Sequence, residues 1–509
     1  MIPQYTKYHK IPVLTGKEAE FWDKLSIEEK GVDSRLLMGW AGYSVYADIR
    51  RKKYYKKAEE IHFISGTGNN AGDGYVIAWH MLNESDKKIF FWKLSDPKTK
   101  DAIYFYELCK KHYEKRNLVI KDLADFLSIK TEKKSIIFDC LFGTGMSREL
   151  KSDIQNILSH ANRQKAVKIA IDIPSGVYSD GSIFSHEVFR ADKTFTFGGY
   201  KIGHLISPGI LYCGDVKVNP IGFYKTNFEN RHLIKRRKLN SLRKPSGNKY
   251  TSGVLHILGA SKGMEGAAAM SAYAFLKLGG GLAKLFSFSE SIKKYLSDYP
   301  EVMYNSHDKE ELESAFLNDL RKEKNNIVLI GVGLKEELSE KFWRALLDRN
   351  DVSLILDGSV FGFLKKHQKM FQNHRLKSLV MTPHLSEAES LLEDKITNIR
   401  EVAIDISKFY NSHVYLKGAG GLLIINNDEI EEIYLASKHT EFATGGTGDI
   451  LSGVIANMTA RYEEPSVILQ QALSVYFYGG VRKDKKNKDF LTASEIIKNI
   501  ENKIKNEIL

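Results

Sequence analysis

Cysteine is scarce in this 509-residue chain, which holds only Cys109, Cys140 and Cys213. An odd, sparse set without a Cys-x-x-Cys pair argues against a disulfide framework and against structural zinc. It points to a reducing compartment, the cytoplasm. Long apolar runs are missing too. None exceeds strand length, far short of the roughly 20 residues of a membrane-spanning helix, so no membrane partner is expected. The opening residues, MIPQYTKYHK, have no apolar core, so no secretory signal is expected there. Short-period repeats and low-complexity tracts are also absent. What remains is 43% hydrophobic and 27% charged, the balance of a globular protein. The length exceeds what one hydrophobic core supports, so two domains are expected.

Acidic residues are absent from 231–249, where Arg231, Lys235, Arg236, Arg237, Lys238, Arg243, Lys244 and Lys249 carry eight of the twelve net positive charges. A nucleic-acid patch and a solvated linker both fit such a run. No aromatic platform is interleaved with it, which favours the linker, and no nucleic-acid partner is expected. The expected division is a domain over 1–228, a basic linker over 229–249 and a second domain over 250–509.

Both halves alternate strand-like apolar runs with helix-length segments. In the first half the runs are 61–65, 135–138, 167–171 and 193–197, with a helix expected over 75–82. In the second they are 254–258, 327–330, 353–356, 379–381 and 414–416. That order predicts two α/β domains with mainly parallel sheets, whose ligands bind beyond the carboxyl ends of the strands.

The most telling segment is Phe442-Ala443-Thr444-Gly445-Gly446-Thr447-Gly448-Asp449, followed by apolar residues at helical spacing. A glycine turn opening a helix offers free N–H groups and the positive end of the helix dipole to an anion. The adjacent carboxylate can take a proton from a hydroxyl as a phosphoryl group moves. Lys417, at a strand end, is followed by Gly418, Ala419, Gly420 and Gly421, where a nucleotide phosphate can approach the backbone. His384 follows Pro383 after another strand.

In the first half, Gly66-Thr67-Gly68-Asn69-Asn70-Ala71-Gly72-Asp73-Gly74 follows a strand. It is only a weak relative of the dinucleotide fingerprint. Its asparagines and aspartate can bond a ribose or ligate a hard cation. Two further strand ends carry aspartates, Asp139 before Phe142-Gly143-Thr144-Gly145-Met146-Ser147-Arg148-Glu149, and Asp172 before Ile173-Pro174-Ser175-Gly176. Pro174 is expected to stiffen the turn that holds the Asp172 carboxylate.

Together, the Gly-x-Gly-Asn-Asn-x-Gly-Asp-Gly, Phe-Gly-Thr-Gly and Asp-Ile-Pro-Ser-Gly segments make residues 10–225 resemble the NAD(P)H-hydrate epimerase family. That resemblance implies a Rossmann-like three-layer domain and a potassium ion bound by Asn70, Asp139 and Ser175. It implies that Asn69, Asn70, Ala71, Gly72, Asp73, Gly143, Thr144, Gly145, Met146, Ser147, Arg148, Glu149 and Asp172 contact the hydrated dinucleotide. Asp172 is the expected acid/base group for epimerisation at C6. Ala71 stands where the family has glycine, and Met38-Gly39-Trp40-Ala41-Gly42 replaces its Met-Glu-Asn-Ala-Gly.

Residues 245–509 resemble the ADP/ATP-dependent NAD(P)H-hydrate dehydratases, with a ribokinase-like fold. The matching pieces are 259–268, 279–282, 300–303, 331–334, 382–387, 417–421 and 445–449. The resemblance implies that Ala267, Gly333, His384 and Asp449 contact the hydrate, with Asp449 the catalytic base. Lys417 to Gly421 and Gly448 would contact ADP or ATP, with magnesium. Here Asp357-Gly358-Ser359-Val360 replaces the family's Asp-Ala-Asp-Gly-Leu, Gly420-Gly421 replaces the Gly-Thr that ends its Lys-Gly-Ala-Gly-Thr loop, and Tyr478 stands for a common histidine. The implied whole repairs hydrated NADH and NADPH, as an assembly of identical chains. The competing reading is a ribokinase-like small-molecule kinase fused to a dinucleotide-binding module.

Overall fold

The computed structural model describes residues 11–111, 117–131, 134–146, 148–183, 185–226, 230–234, 248–320, 326–392, 398–436, 438, 442–480 and 491–508. Ser147 and most of the basic stretch, 235–247, lie outside them. The chain divides into two compact units, Met1–Leu233 and Ile234–Leu509.

The first unit is built on β1 (Glu60–Ser65), β2 (Lys88–Lys93), β3 (Leu118–Asp122), β4 (Ser135–Cys140), β5 (Ala166–Ile171), β6 (Lys193–Phe197) and β7 (Asp215–Asn219). They pair in the order β3-β2-β1-β4-β5-β6-β7, every pair parallel. Alternate side chains serve opposite faces. Ile61, Phe63, Ile136 and Phe138 join one core with α1 (Ser34–Ile49) and α2 (Asn69–Glu84). Ile64 and Ile137 join another with α3 (Ser152–Arg163). Helices on both faces explain why the strands read as continuous apolar runs. The strand order reverses around β1 and β4, which opens a crevice at their carboxyl ends.

Gly72, which a Cβ would bring to 2.6 Å from Met38 Sδ, and Gly42, which one would bring to 2.4 Å from Val76 Cβ, let α1 lie close on α2. Ala71 is fully buried, so its methyl group fits. Trp40 stays exposed and covers Gly222. The helix expected over 75–82 begins already at Asn69, because only Gly66 to Gly68 is needed for the turn.

In the second unit β8 (Val254–Gly259), β9 (Leu282–Ser287), β10 (Val302–Ser306), β11 (Asn326–Ile330), β12 (Val352–Leu356), β13 (Ser378–Met381), β14 (His413–Leu416), β15 (Leu422–Asn426) and β16 (Ile430–Tyr434) share a sheet. Their order is β16-β15-β14-β13-β12-β11-β8-β9-β10, parallel except for the last two strands in sequence. The small residues of α4 (Glu265–Lys277) admit α6 (Thr447–Arg461) closely, since a Cβ on Gly453 would stand 2.3 Å from the Ser271 carbonyl. Helices α5 (Leu385–Leu391) and α7 (Pro465–Gly480) complete the parts used below. No helix among the described residues is long and apolar enough to cross a membrane.

Candidate active sites

In the first unit the ends of β1, β4 and β5 bring the expected residues together. Asn70, in the first turn of α2, donates to the Phe142 carbonyl at 2.8 Å. Its Oδ1 is buried and has no hydrogen-bond partner. A Cβ on Gly143 would lie 3.3 Å from Asp172 Oδ2 and 3.6 Å from Asn70 Cβ, so that glycine stands between the two. The Thr144 N–H donates to Asp172 Oδ2 at 3.3 Å. Asp139 is fully buried and accepts from the Ser175 N–H and hydroxyl, both at 2.7 Å, and from the Leu141 N–H at 3.2 Å. Burial pushes its carboxyl up to about 6 against those bonds. Asn69, Gly145, Arg148 and Glu149 are exposed at the rim, and Gly72 and Ala71 are packing positions.

Asp172 is held by residues the motifs did not reveal. Its backbone is left-handed, φ 64°. Oδ1 accepts from Lys201 Nζ at 2.6 Å and from the Thr196 hydroxyl at 3.0 Å. His204 Nδ1 accepts the Lys201 N–H at 3.0 Å, so its Nε2 carries the proton and donates to the Asp172 carbonyl at 2.8 Å. Burial works against the Asp172 charge, yet Lys201 outweighs it and holds the carboxyl below the usual range. Burial, aided by Lys201, lowers His204 to about 4, which leaves the ring neutral. Asp73, on α2, is pushed well above the usual range by burial and by the Asp172 charge. The expected stiffening by Pro174 is thus accompanied by a direct clamp from Lys201 and Thr196.

In the second unit, Gly446 (φ 86°) caps α6, and Gly448 and Asp449 occupy its first turn. Tyr476 donates to the Thr447 carbonyl at 2.8 Å, and Ser271 donates to the Asp449 carbonyl at 2.8 Å, so the turn is fixed from two helices. Lys417, just past β14, pairs with Asp357 Oδ1 at 2.6 Å, while Ser452 donates to Asp357 Oδ2 at 2.7 Å. A Cβ on Gly448 would meet Lys417 Nζ at 3.6 Å and Asp357 Oδ2 at 3.7 Å. Burial, then the Asp357 charge, pushes Asp449 up to about 6. Glu387 also rises through burial, against the pull of Lys417.

His384 is exposed and caps α5, its Nδ1 2.9 Å from the Ser386 hydroxyl and its Nε2 3.3 Å from Glu387. It stands beside Lys417 across a parallel bridge. A Cβ on Gly333 (φ 64°) would meet Ala267 Cβ at 3.2 Å, so these two are neighbours. Ser359 bonds backbone carbonyls at Gly331 and Leu334 and takes no part in the charge cluster. The Tyr478 side chain lies outside the described residues. Among the described residues no three acidic, histidine or cysteine side chains form a metal centre of their own.

Comparison with known proteins agrees with this division. Residues 34–203 match the model of the YjeF-related protein N-terminus, and residues 255–502 match that of NAD(P)H-hydrate dehydratase. A bifunctional NAD(P)H-hydrate repair enzyme of Dictyoglomus turgidum is 28% identical over 96% of this chain and 97% of its own. That of Thermofilum pendens is 28% identical over 86% of each, and that of Escherichia coli 26% over 81% and 78%. An ADP/ATP-dependent NAD(P)H-hydrate dehydratase structure from Bacillus subtilis, co-crystallised with ATP and magnesium, is 19% identical, with TM-score 0.45, over 53% of this chain and 95% of its own. With both family models in order along one chain, and relatives matched over 81–96% of it, the chain has the two-domain make-up of the bifunctional NAD(P)H-hydrate repair enzymes.

Proposed function

We propose that the first unit epimerises the hydrates of NADH and NADPH at C6 and that the second dehydrates the S form using ADP or ATP. The observation that carries this reading is a pair of half-buried aspartates at the carboxyl ends of two separate sheets, each beside a lysine. Epimerisation needs the C6 hydroxyl to leave one face and water to return on the other. Asp172 takes the proton of the water that adds, and Asp73, whose proton burial and the Asp172 charge help to retain, supplies one to the hydroxyl that leaves.

Potassium fits the first site. The orphaned Asn70 Oδ1, the fully buried Asp139 carboxylate and Ser175 offer oxygen donors and an uncompensated charge. These three would hold it, and it would supply positive charge to the dinucleotide.

In the second site Asp449 accepts the proton of the C6 hydroxyl as that oxygen attacks the terminal phosphoryl group. The N–H groups opening α6 meet the charge that grows on the phosphoryl oxygens. Phosphate then leaves C6 with loss of the C5 proton, which restores the ring double bond. Asp357, Glu387 and Asp449 lie around Lys417, an oxygen-rich, negative surrounding suited to magnesium arriving with the nucleotide, where it would neutralise polyphosphate charge. Gly333, Ala267 and His384 are the proposed contacts to the hydrate, and Lys417 to Gly421 with Gly448 those to the nucleotide.

The reading places the enzyme in the cytoplasm, which the three free, buried cysteines support, and makes it an assembly of identical chains, measurable by sedimentation at assay concentration. The test of activity is recovery of near-ultraviolet absorbance from mixed R and S NADH-hydrate with magnesium and ADP or ATP. Recovery of the whole mixture is expected. A stable phosphorylated product would instead establish the kinase reading.

A further inference from the structure

Lys201 carries no motif, yet its side chain is 4% exposed and its ammonium is fully spent inside the first unit. It donates to Asp172 Oδ1 at 2.6 Å, to the Thr196 hydroxyl at 2.7 Å and to the Phe197 carbonyl at 3.2 Å. A buried cation of this kind is costly unless every donor is satisfied and a counter-charge lies in contact. Both conditions are met here, and the counter-charge is the proposed acid/base group. The two oxygens of Asp172 are therefore unlike. Oδ1 takes bonds from Lys201 and Thr196. Oδ2 takes one long bond, 3.3 Å, from the Thr144 N–H, and faces the side of Gly143 where no Cβ intervenes.

We propose that Lys201 is a positioning residue for epimerisation, anchoring Asp172 through Oδ1 so that Oδ2 is the oxygen presented to the substrate. This rests on the reading of Asp172 as the acid/base group. Lys201 reaches the chemistry only through Asp172. The backbone joins the same device: His204 locks the Asp172 carbonyl and the Lys201 N–H together, so the left-handed turn and its clamp move as one piece.

The charged and titratable groups around the carboxylate are Lys201 and His204 from the segment after β6 and Asp73 from α2. His204 is neutral and burial works against the Asp172 charge, so Lys201 is the group that sustains the ionised form. Removing the ammonium leaves burial unopposed by any cation. The base then ionises at higher pH, and the acidic limb of epimerisation moves upward.

The experiment uses the full chain without nucleotide, follows R-to-S conversion by chromatography, and records rate against pH. Lys201→Met is expected to lower kcat about 100-fold at neutral pH, to leave KM within about threefold, and to move the acidic limb up by about one unit or more. A wild-type circular dichroism spectrum and an unchanged thermal unfolding transition of the same preparation report that the first unit is folded. Thr196→Val, which removes a single bond to Oδ1, is expected to move the limb in the same direction by less, and it carries the test if the lysine variant does not fold. An unmoved limb and a wild-type kcat in a folded variant overturn the proposal. Asp172→Asn separates the two readings. If it keeps epimerising, the acid/base role of Asp172 is wrong. If it is inactive while Lys201→Met behaves as wild type, only the positioning role is wrong.

Discussion

Each unit sets a half-buried aspartate beside a lysine at the end of a parallel sheet, yet the two pairs are wired differently. In the first, Lys201 bonds Asp172 itself, and the carboxyl is held below the usual range. In the second, Lys417 bonds Asp357, and Asp449 is left with burial and a negative neighbour, which push it up to about 6. Burial acts on both in the same direction. The partner of the lysine decides the outcome. A base that must act on water at C6 is kept ionised at all working pH. A base that must take a hydroxyl proton during phosphoryl transfer is poised near neutrality, where general bases are most effective.

The largest expected effect divides the two reactions. Asp449→Ala should cost dehydration about 10²–10⁴-fold, the range for loss of a general base, and leave epimerisation intact. Asp172→Ala should do the reverse, with each activity assayed on its own epimer. Loss of both activities in one folded variant would break the comparison at its root.

The next effect tests the wiring. Asp357→Asn removes the negative neighbour of Asp449 and frees Lys417 from its closest partner, and both changes favour the Asp449 carboxylate. The acidic limb of dehydration should move down by about one unit, making the second site resemble the first. A limb that stays in place would mean that burial alone sets it.

A smaller effect concerns the turn that presents Asp449. Gly446→Ala puts a side chain into a left-handed residue, and its Cβ would stand 2.6 Å from Met270 Cε. A loss of about 1–2 kcal/mol of stability is expected, read from denaturant unfolding, with a fall in dehydration and none in epimerisation.

Much of this was legible in the chain because buried parallel strands leave a plain trace. The runs at 61–65, 193–197, 254–258 and 414–416 coincide with β1, β6, β8 and β14 to within a residue. Glycine-rich strand ends marked Asn70, Gly143, Asp172, Lys417 and Asp449, and the structure gathers them into two sites. Lys201 was not legible, since it lies 29 residues beyond Asp172 in a segment without a signature and becomes important only through a tertiary contact. The early start of α2 was hidden because Gly72 and Gly74, which serve helix and strand packing, look like loop residues. Asp357 was visible as the retained aspartate of a motif that departs at Ser359, but its bond to Lys417 spans 60 residues.

The most direct measurement is the pair of pH–rate profiles for kcat/KM on the wild-type chain, epimerisation of R hydrate without nucleotide and dehydration of S hydrate with it. Each base acts only when ionised, so each rate falls as pH drops through its carboxyl's pKa. Dehydration is expected to fall away near pH 6, while epimerisation holds its rate to below the usual carboxylate range. Two limbs at the same pH would contradict the claim that the lysine's choice of partner sets the two sites apart.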